Sequence, residues 1–183
     1  MNKKRISSNC ITHLAPNEVF VFGSNLQGYH GGGAARFAHE HFGAVWGQGV
    51  GLYGQSYAIP TMQGGVETIK PYVNIFLQFA KMHEELDFLV TEIGCGIAGF
   101  TPEEIAPLFF SAIEDDERNV YLPESFYVIW EYGSSHEAYY KVCECGALYP
   151  YIETICPYCG SDTIRCQLNK DKDSAYKAVR LEF

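Results

Sequence analysis

The 183-residue chain reads as an α/β protein carrying a small cysteine-bearing appendage. Apolar, strand-like runs alternate with stretches of helical spacing, the pattern of a sheet layered with helices. Two of those strands lead directly into glycine-rich turns, each of which opens a helix. Four cysteines in two close pairs stand apart near the end of the chain. The expected organisation is an α/β domain over roughly residues 10–135, a four-cysteine module over 140–168 and a tail over 169–183.

The elements follow in order. Residues 18–23 are rich in Val and Phe, alternate loosely and stop at Gly23, as a buried strand does. Ala34, Phe37, Ala38 and His41 then recur at helical spacing, which predicts a helix over 33–42. A short strand over Ser56–Pro60 is ended by its proline, and residues 62–67 form a glycine-containing loop. Pro71 suits the first position of a helix, and Tyr72, Phe76, Phe79 and His83 share one face of a helix running to about Leu86. Residues 87–93 make the next strand. Thr101-Pro102-Glu103-Glu104 combines an N-cap, a proline at the first helical position and a capping-box carboxylate, predicting a helix from Pro102 toward Ile113 with Pro107 in its first turns. An acidic run over 114–117 is solvated, residues 119–122 form a candidate strand, and residues 126–130 are read as the last strand.

The glycine turns carry the functional signal. The first follows Val19-Phe20-Val21-Phe22 and reads Gly23-Ser24-Asn25, a spacer ending in Tyr29-His30, then Gly31-Gly32-Gly33-Ala34-Ala35. The second follows Phe88-Leu89-Val90-Thr91-Glu92-Ile93 and reads Gly94-Cys95-Gly96-Ile97-Ala98-Gly99-Phe100. Glycines at a strand-to-helix junction let a ligand touch the main chain, and the unpaired N–H groups of a helix start point at it. Such a junction suits a phosphate. Two of them in one domain suit a nucleoside diphosphate or a diphosphoribose.

Charge sharpens this reading. The chain holds 13 basic and 22 acidic residues, and all of the excess lies in residues 1–140, so long-range attraction cannot recruit an anion. Arg36 is the only fixed cation near the loops. Backbone donors and helix dipoles must therefore hold any anionic ligand. The Gly-x-x-x-x-Gly-Lys-Ser/Thr pattern of phosphate-loop hydrolases is absent, and the acidic balance argues against duplex DNA. The second loop satisfies Gly-x-Gly-x-x-Gly, yet the acidic residue expected about 20 residues on falls in 114–117, ahead of the next strand instead of at its end.

Taken together, the two loops resemble the macro domain family. Phe22-Gly23-Ser24-Asn25 with the Gly31-Gly32-Gly33-Ala34-Ala35 run is similar to that family's Asn-bearing strand end and glycine-opened helix. Gly94-Cys95-Gly96-Ile97-Ala98-Gly99-Phe100 is similar to its diphosphate loop, and Gln55-Ser-Tyr-Ala-Ile-Pro60 to the strand before its central helices. The resemblance covers roughly residues 18–130. It implies a three-layer α/β/α fold around a mixed sheet, with ADP-ribose as ligand and hydrolysis of ADP-ribosyl linkages as the activity of catalytic members. Asn25 would then face the distal ribose, Gly31, Gly32 and Gly33 would shape its pocket, and residues 96–100 would wrap the diphosphate. The chain departs from the family where hydrolytic members place an Asp after the glycine run, since Ala34, Ala35 and Arg36 stand there.

His30, beside the glycine run, is a candidate general acid/base near neutral pH and equally a turn histidine bonded to local backbone. His39, Glu40 and His41 are adjacent on a helix and point in different directions, so they read as helix-face residues. Gln48, Tyr53 and Gln55 lie in a glycine-rich stretch that can cover the pocket.

Cys143-Glu-Cys145-Gly and Cys156-Pro-Tyr-Cys159-Gly are separated by ten residues. Each pair precedes a glycine, so main-chain N–H groups can turn back toward thiolates, and four thiolates at this spacing close a tetrahedron around one structural Zn²⁺. Iron accepts the same ligands. The segment resembles a rubredoxin-type zinc ribbon. A segment this short has little apolar area and needs such a staple.

No long apolar run or signal peptide follows the basic Met1–Arg5 stretch, and seven cysteines read as thiols or metal ligands, so the expected location is cytoplasmic and no membrane partner is expected. Three functions stand open: an ADP-ribose-binding enzyme, a non-catalytic reader whose ribbon docks a protein or nucleic acid, and a generic doubly wound nucleotide enzyme.

Overall fold

A computed structural model describes residues 4–132 and, beyond them, three further strands. Two compact units divide the chain at residue 133. In the first, β1 (Glu18–Ser24) leads to α1 (Gly33–His41), β2 (Gly51–Tyr53) and β3 (Ser56–Pro60). Then come α2 (Val66–Met82), β4 (Asp87–Val90), α3 (Pro102–Ile105), a 3₁₀ turn (Ala106–Phe109), α4 (Phe110–Glu114), β5 (Val120–Tyr121) and α5 (Glu124–Tyr132). The strands form one mixed sheet in the order β2-β3-β1-β4-β5. Strand β1 is parallel to β3 and β4, β4 is parallel to β5, and β2 runs antiparallel at the edge.

This order places a reversal beside β1. The chain leaves β1 through α1 toward β3, then crosses back through α2 to β4 on the other side. Right-handed crossovers running in opposite directions put their helices on opposite faces of the sheet. The packing agrees: Phe20 and Phe22 of β1 join Ala35, Ala38 and Phe42 around α1, while Val19 and Val21 face the larger cluster with Ile69, Val73 and Phe76 of α2 and Phe109 and Phe126. Alternate β1 side chains thus feed two cores, as the pleat requires.

Residues 4–7 extend the far edge. Ile6 bridges to Leu122 in parallel, with Ser7 N donating to Leu122 O at 2.9 Å and Leu122 N to Arg5 O at 2.9 Å. The Ser7 hydroxyl reaches Val90 O at 2.6 Å, and Arg5 pairs with Asp116 at 2.7 Å.

Four elements differ from the sequence reading. Residues 126–130 are not a strand but the middle of α5, where Phe126, Tyr127, Val128 and Ile129 are all buried. Four consecutive apolar residues satisfy a helix enclosed on most sides as well as a buried strand. Helix α2 begins at Val66, five residues before Pro71, and its buried face includes Ile69. Pro71 costs the carbonyl of Glu67 its helical partner, but Glu67 is exposed and water can serve it. Strand β4 ends at Val90, three residues earlier than expected; Thr91 N makes the last ladder bond to Val21 O at 3.0 Å, and its hydroxyl adds a second to the same oxygen at 2.9 Å. The helix expected over 102–113 exists in pieces: Pro107 lacks the N–H that an α-turn needs, and the backbone tightens to 3₁₀ around it.

The second unit shows a three-stranded antiparallel sheet in the order β7-β6-β8, formed by β6 (Tyr140–Cys143), β7 (Leu148–Pro150) and β8 (Ile164–Asn169). Cys143 ends β6, opposite Ile164. Cys145, Cys156 and Cys159 lie outside the described residues. Among the described residues no helix is long and apolar enough to cross a membrane.

Candidate functional site

Both glycine loops leave the carboxyl end of the sheet, from the neighbouring strands β1 and β4. The connection out of β1 goes one way and that out of β4 the other, so a crevice opens between them at a topological switch point. The two loops meet there. A Cβ on Gly23 would lie 3.1 Å from Gly94 N and 3.1 Å from the Thr61 hydroxyl, and one on Gly32 would lie 3.1 Å from the Cδ1 of Ile97. Ile97 is 74% exposed, held over the triglycine run instead of in the core.

The second loop is a closed backbone turn. Phe100 N donates to Gly94 O and Gly99 N to Gly96 O, both at 3.0 Å, and Cys95 N to Glu92 O at 3.2 Å. Gly94 has φ +76° and sits against Phe100 and Ile105, which a side chain would disturb. Among the described residues nothing accepts from the N–H groups of Gly96, Ile97 and Ala98. The positions above Gly31, Gly96 and Gly99 are open space. In the first loop Gly33, Ala34 and Ala35 contribute the unpaired N–H groups of the α1 start, whose cap Gly32 is extended. Two sets of free donors therefore border one opening.

The side chains around them are largely committed elsewhere. Ser24 is buried and its hydroxyl donates to Gly49 O at 2.7 Å. Asn25 spends its amide on its own loop: Nδ2 donates to Tyr29 O and Oδ1 accepts from Tyr29 N, both at 3.0 Å. Through these two bonds Asn25 braces its own loop. His30 is 1% exposed, with Nε2 at 3.1 Å from Val45 O and 3.2 Å from Gln48 O. Both partners are acceptors, so Nε2 carries the proton, and Nδ1 is buried without a partner among the described residues. Burial lowers its pKa despite the two carbonyls, which pull the other way. So enclosed, His30 ties residues 45–48 to the first loop.

Cys95 is half-buried, and desolvation with Glu92, Glu103 and Glu104 nearby pushes its thiol up to about 12. It is no nucleophile at neutral pH. Phe100 packs against the main core. Arg36 is bound to Glu40 at 2.7 Å. His39 bonds Ala44 O at 2.7 Å and His41 packs on Phe37, so the three helix residues keep separate surroundings, as expected. Of the glycine-rich stretch, the Tyr53 hydroxyl donates to Gln48 at 2.8 Å, whereas Gln55 reaches Ala15 O and Glu18 O at the opposite end of β1 and covers nothing here.

Comparison of the chain with protein-family models, curated proteins and solved structures gives no match. The site is therefore read from its own geometry. Sequence reasoning passed over two of its components. One is Glu92, whose carboxylate accepts from the buried Ser125 hydroxyl at 2.6 Å, a pairing only the α5 helix brings about. The other is the aromatic pair Tyr29 and Trp46, whose rings stack with centroids 5.7 Å apart.

A cavity of about 530 Å³ lies at the other end of the sheet, lined by Lys81, Glu84, Asp87, Asp116, Glu117, Arg118 and Asn119. Four carboxylates against two cations leave its lining acidic, and Lys81 is bound to Asp115 and Glu117 at 3.0 and 2.9 Å. It stands where β4 and β5 begin, away from the carboxyl ends at which parallel sheets take ligands. Among the described residues no group of three His, Cys, Asp or Glu is placed to hold a metal.

Proposed function

We propose that a macro-like, three-layer module, with the resemblance spanning roughly residues 18–130, binds ADP-ribose or a related nucleotide diphosphate-sugar in the crevice between β1 and β4. One observation carries the reading: two loops with unbonded N–H groups converge at the switch point, Ile97 against Gly32, with open space above Gly31, Gly96 and Gly99. A diphosphate there meets main-chain donors and the start of α1, the arrangement an acidic chain needs to hold an anion without lysines. Titration calorimetry with ADP-ribose, ADP and NAD tests it. Gly96→Glu fills and charges the cradle and abolishes binding while the fold persists. A folded Gly96→Glu protein that binds as tightly as the parent refutes the reading.

Recognition without turnover is the form of this function the side chains favour. Asn25 and His30, the two groups best suited to chemistry, are bonded to their own loops, and Ala34, Ala35 and Arg36 stand where hydrolytic macro domains carry Asp. Incubation with an ADP-ribosylated protein distinguishes the two: release of ADP-ribose by the parent but not by Asn25→Ala or His30→Ala restores the enzyme.

The cysteine module is proposed to hold one structural Zn²⁺ through Cys143, Cys145, Cys156 and Cys159 and to dock a protein or nucleic-acid partner. Metal analysis should give one equivalent of zinc, lost in Cys156→Ser. Less than half an equivalent of zinc or iron, unchanged in that variant, removes the assignment.

A further inference from the structure

The end of the crevice at Asn25 carries an exposed aromatic pair. Tyr29 is 60% and Trp46 54% exposed, yet their rings stack at an interplanar angle of 29°. His30 and His39 also meet Trp46 at steep ring angles, with centroids 6.4 and 6.0 Å away. A lone exposed apolar residue needs no explanation. Here Leu26, Val45 and Val50 are exposed on the same two loops, and a patch of that kind marks a binding site.

Those loops are fixed in advance. Gly47 N donates to Gly28 O at 3.0 Å, the Ser24 hydroxyl to Gly49 O at 2.7 Å, and His30 binds both Val45 O and Gln48 O. Gly28 and Gly49 lie so close to the facing backbone that neither has room for a Cβ. A surface held this way meets its ligand with little further ordering of side chains or loops.

The place of the pair along the crevice follows from its neighbours. Asn25 grips both the N–H and the carbonyl of Tyr29, at 3.0 Å each, and Tyr29 stands two residues before Gly31. Gly32 in turn faces the tip of Ile97 in the second loop. The contacts therefore run from the second loop to the triglycine run, and from there through two residues to Tyr29 and its partner Trp46. With the diphosphate at residues 96–99 and the distal ribose at Asn25 and the triglycine run, as the macro domain resemblance places them, the aromatic pair stands beyond that ribose, at the end of the ligand opposite its adenine.

Charge narrows what the ribose carries there. Residues 19–35, 42–66 and 93–102 contain no Asp, Glu, Lys or Arg, in a chain with 22 acidic and 13 basic residues. A peptide attached to the ribose would find no charged rim to pair with, whereas a planar ring would find the faces of a tyrosine and a tryptophan. Those faces are electron-rich and attract a cation, and no Lys or Arg of these segments opposes one. A pyridinium on the anomeric carbon of the distal ribose has both the shape and the charge.

We infer that the Tyr29–Trp46 pair seats the pyridinium ring of a nicotinamide dinucleotide, whose distal ribose lies at the triglycine run and whose diphosphate lies at residues 96–99. This inference rests on the diphosphate reading given above and narrows its ligand from ADP-ribose to the intact oxidised dinucleotide, NAD.

The test uses the full chain with Trp130→Phe, which leaves Trp46 as the sole tryptophan of the chain's two. NAD, NADH, ADP-ribose and nicotinamide mononucleotide are titrated by calorimetry and against tryptophan emission. NAD should quench Trp46, bind about tenfold tighter than ADP-ribose, and bind tighter than NADH, whose nicotinamide ring is uncharged. Tyr29→Ala and Trp46→Ala should bring NAD down to the affinity of ADP-ribose and leave ADP-ribose unchanged, while Tyr29→Phe and Trp46→Phe keep most of the preference. Because ADP-ribose binding reports the folded cradle, an Ala variant that misfolds is recognised by losing it, and the comparison of NAD with ADP-ribose on the parent and the Phe variants then decides. NAD binding no tighter than ADP-ribose in the parent, or a preference that survives in the folded Ala variants, overturns the platform and leaves the cradle standing. NADH binding as tightly as NAD overturns the pyridinium. If nicotinamide mononucleotide quenches Trp46, NAD binds no tighter than it and ADP-ribose fails to bind, the platform stands and the diphosphate reading falls. Silence from all four probes overturns both.

Discussion

Gly28 and Gln48 are locked backbone against backbone: a Cβ on Gly28 would overlap the Gln48 amide nitrogen, and Gly28 O accepts from Gly47 N at 3.0 Å. Gly28 also has φ +67°, in the left-handed region. Gly28→Ala should therefore lose about 3 kcal/mol from backbone strain and overpacking together. Gly32 provides the control, since its φ is −155° and a methyl there meets only the flexible tip of Ile97. Gly32→Ala should stay within about 0.5 kcal/mol of the parent. Urea unfolding of the two variants checks this, and equal losses would show that the Gly28–Gln48 contact yields easily.

His30 predicts acid lability. Its folded pKa lies below the value near 6.5 of an exposed histidine, because burial disfavours the charged ring. The unfolded chain therefore binds the proton more readily, and stability rises with pH across that interval. The contribution is complete above about pH 6.5 and is lost as the pH falls toward and through the lowered value. His39, whose ring centroid is 6.2 Å from that of His30, lowers it further. The urea midpoint of the parent should drop between pH 7 and pH 5 more steeply than that of His30→Gln. Parallel slopes would assign the lability to other groups.

Cys95 should be inert. With its thiol pushed up to about 12 it presents almost no thiolate at pH 8, whereas Cys10 is exposed. Brief alkylation at pH 8 followed by peptide mapping should label the Cys10 peptide and spare that of Cys95. Labelling of both to the same extent contradicts the burial of Cys95.

The start of α3 rests on a reciprocal cap in which Thr101 N donates to Glu104 at 2.8 Å. Thr101→Ala should cost about 1 kcal/mol, and Glu104→Gln, which keeps the acceptor, much less. A Glu104→Gln loss as large as that of Thr101→Ala would mean that charge at the helix start outweighs the hydrogen bond.

Much of the fold was legible in the sequence because its signals are local. The β1 and β3 strands, the α1 spacing and the Thr101 box each depend on a few consecutive residues. Helix α5 was not legible, since Phe126, Tyr127, Val128 and Ile129 satisfy either period, and only the surrounding α3 and 3₁₀ segments enclose them as a helix. Pro71 misled for the opposite reason: a helix-start signal inside a helix whose apolar face begins at Ile69. At the site, the glycines announced two loops but not their meeting, which depends on strand order. The amide of Asn25 could have been anticipated, as Asn opening a tight turn that ends in glycine often binds the turn's own backbone. The burial of His30 could not, because its partners lie 15 and 18 residues away.

The contacts of residues 4–7 join positions far apart in time as well as in space. Arg5 meets Asp116, Ile6 meets Leu122 and Ser7 meets Val90. Each of these partners lies more than 80 residues further along the chain, so residues 4–7 cannot dock until residues near 122 have been made. The far flank of β5 is therefore closed by contacts of high sequence separation, the kind that form late and slow folding.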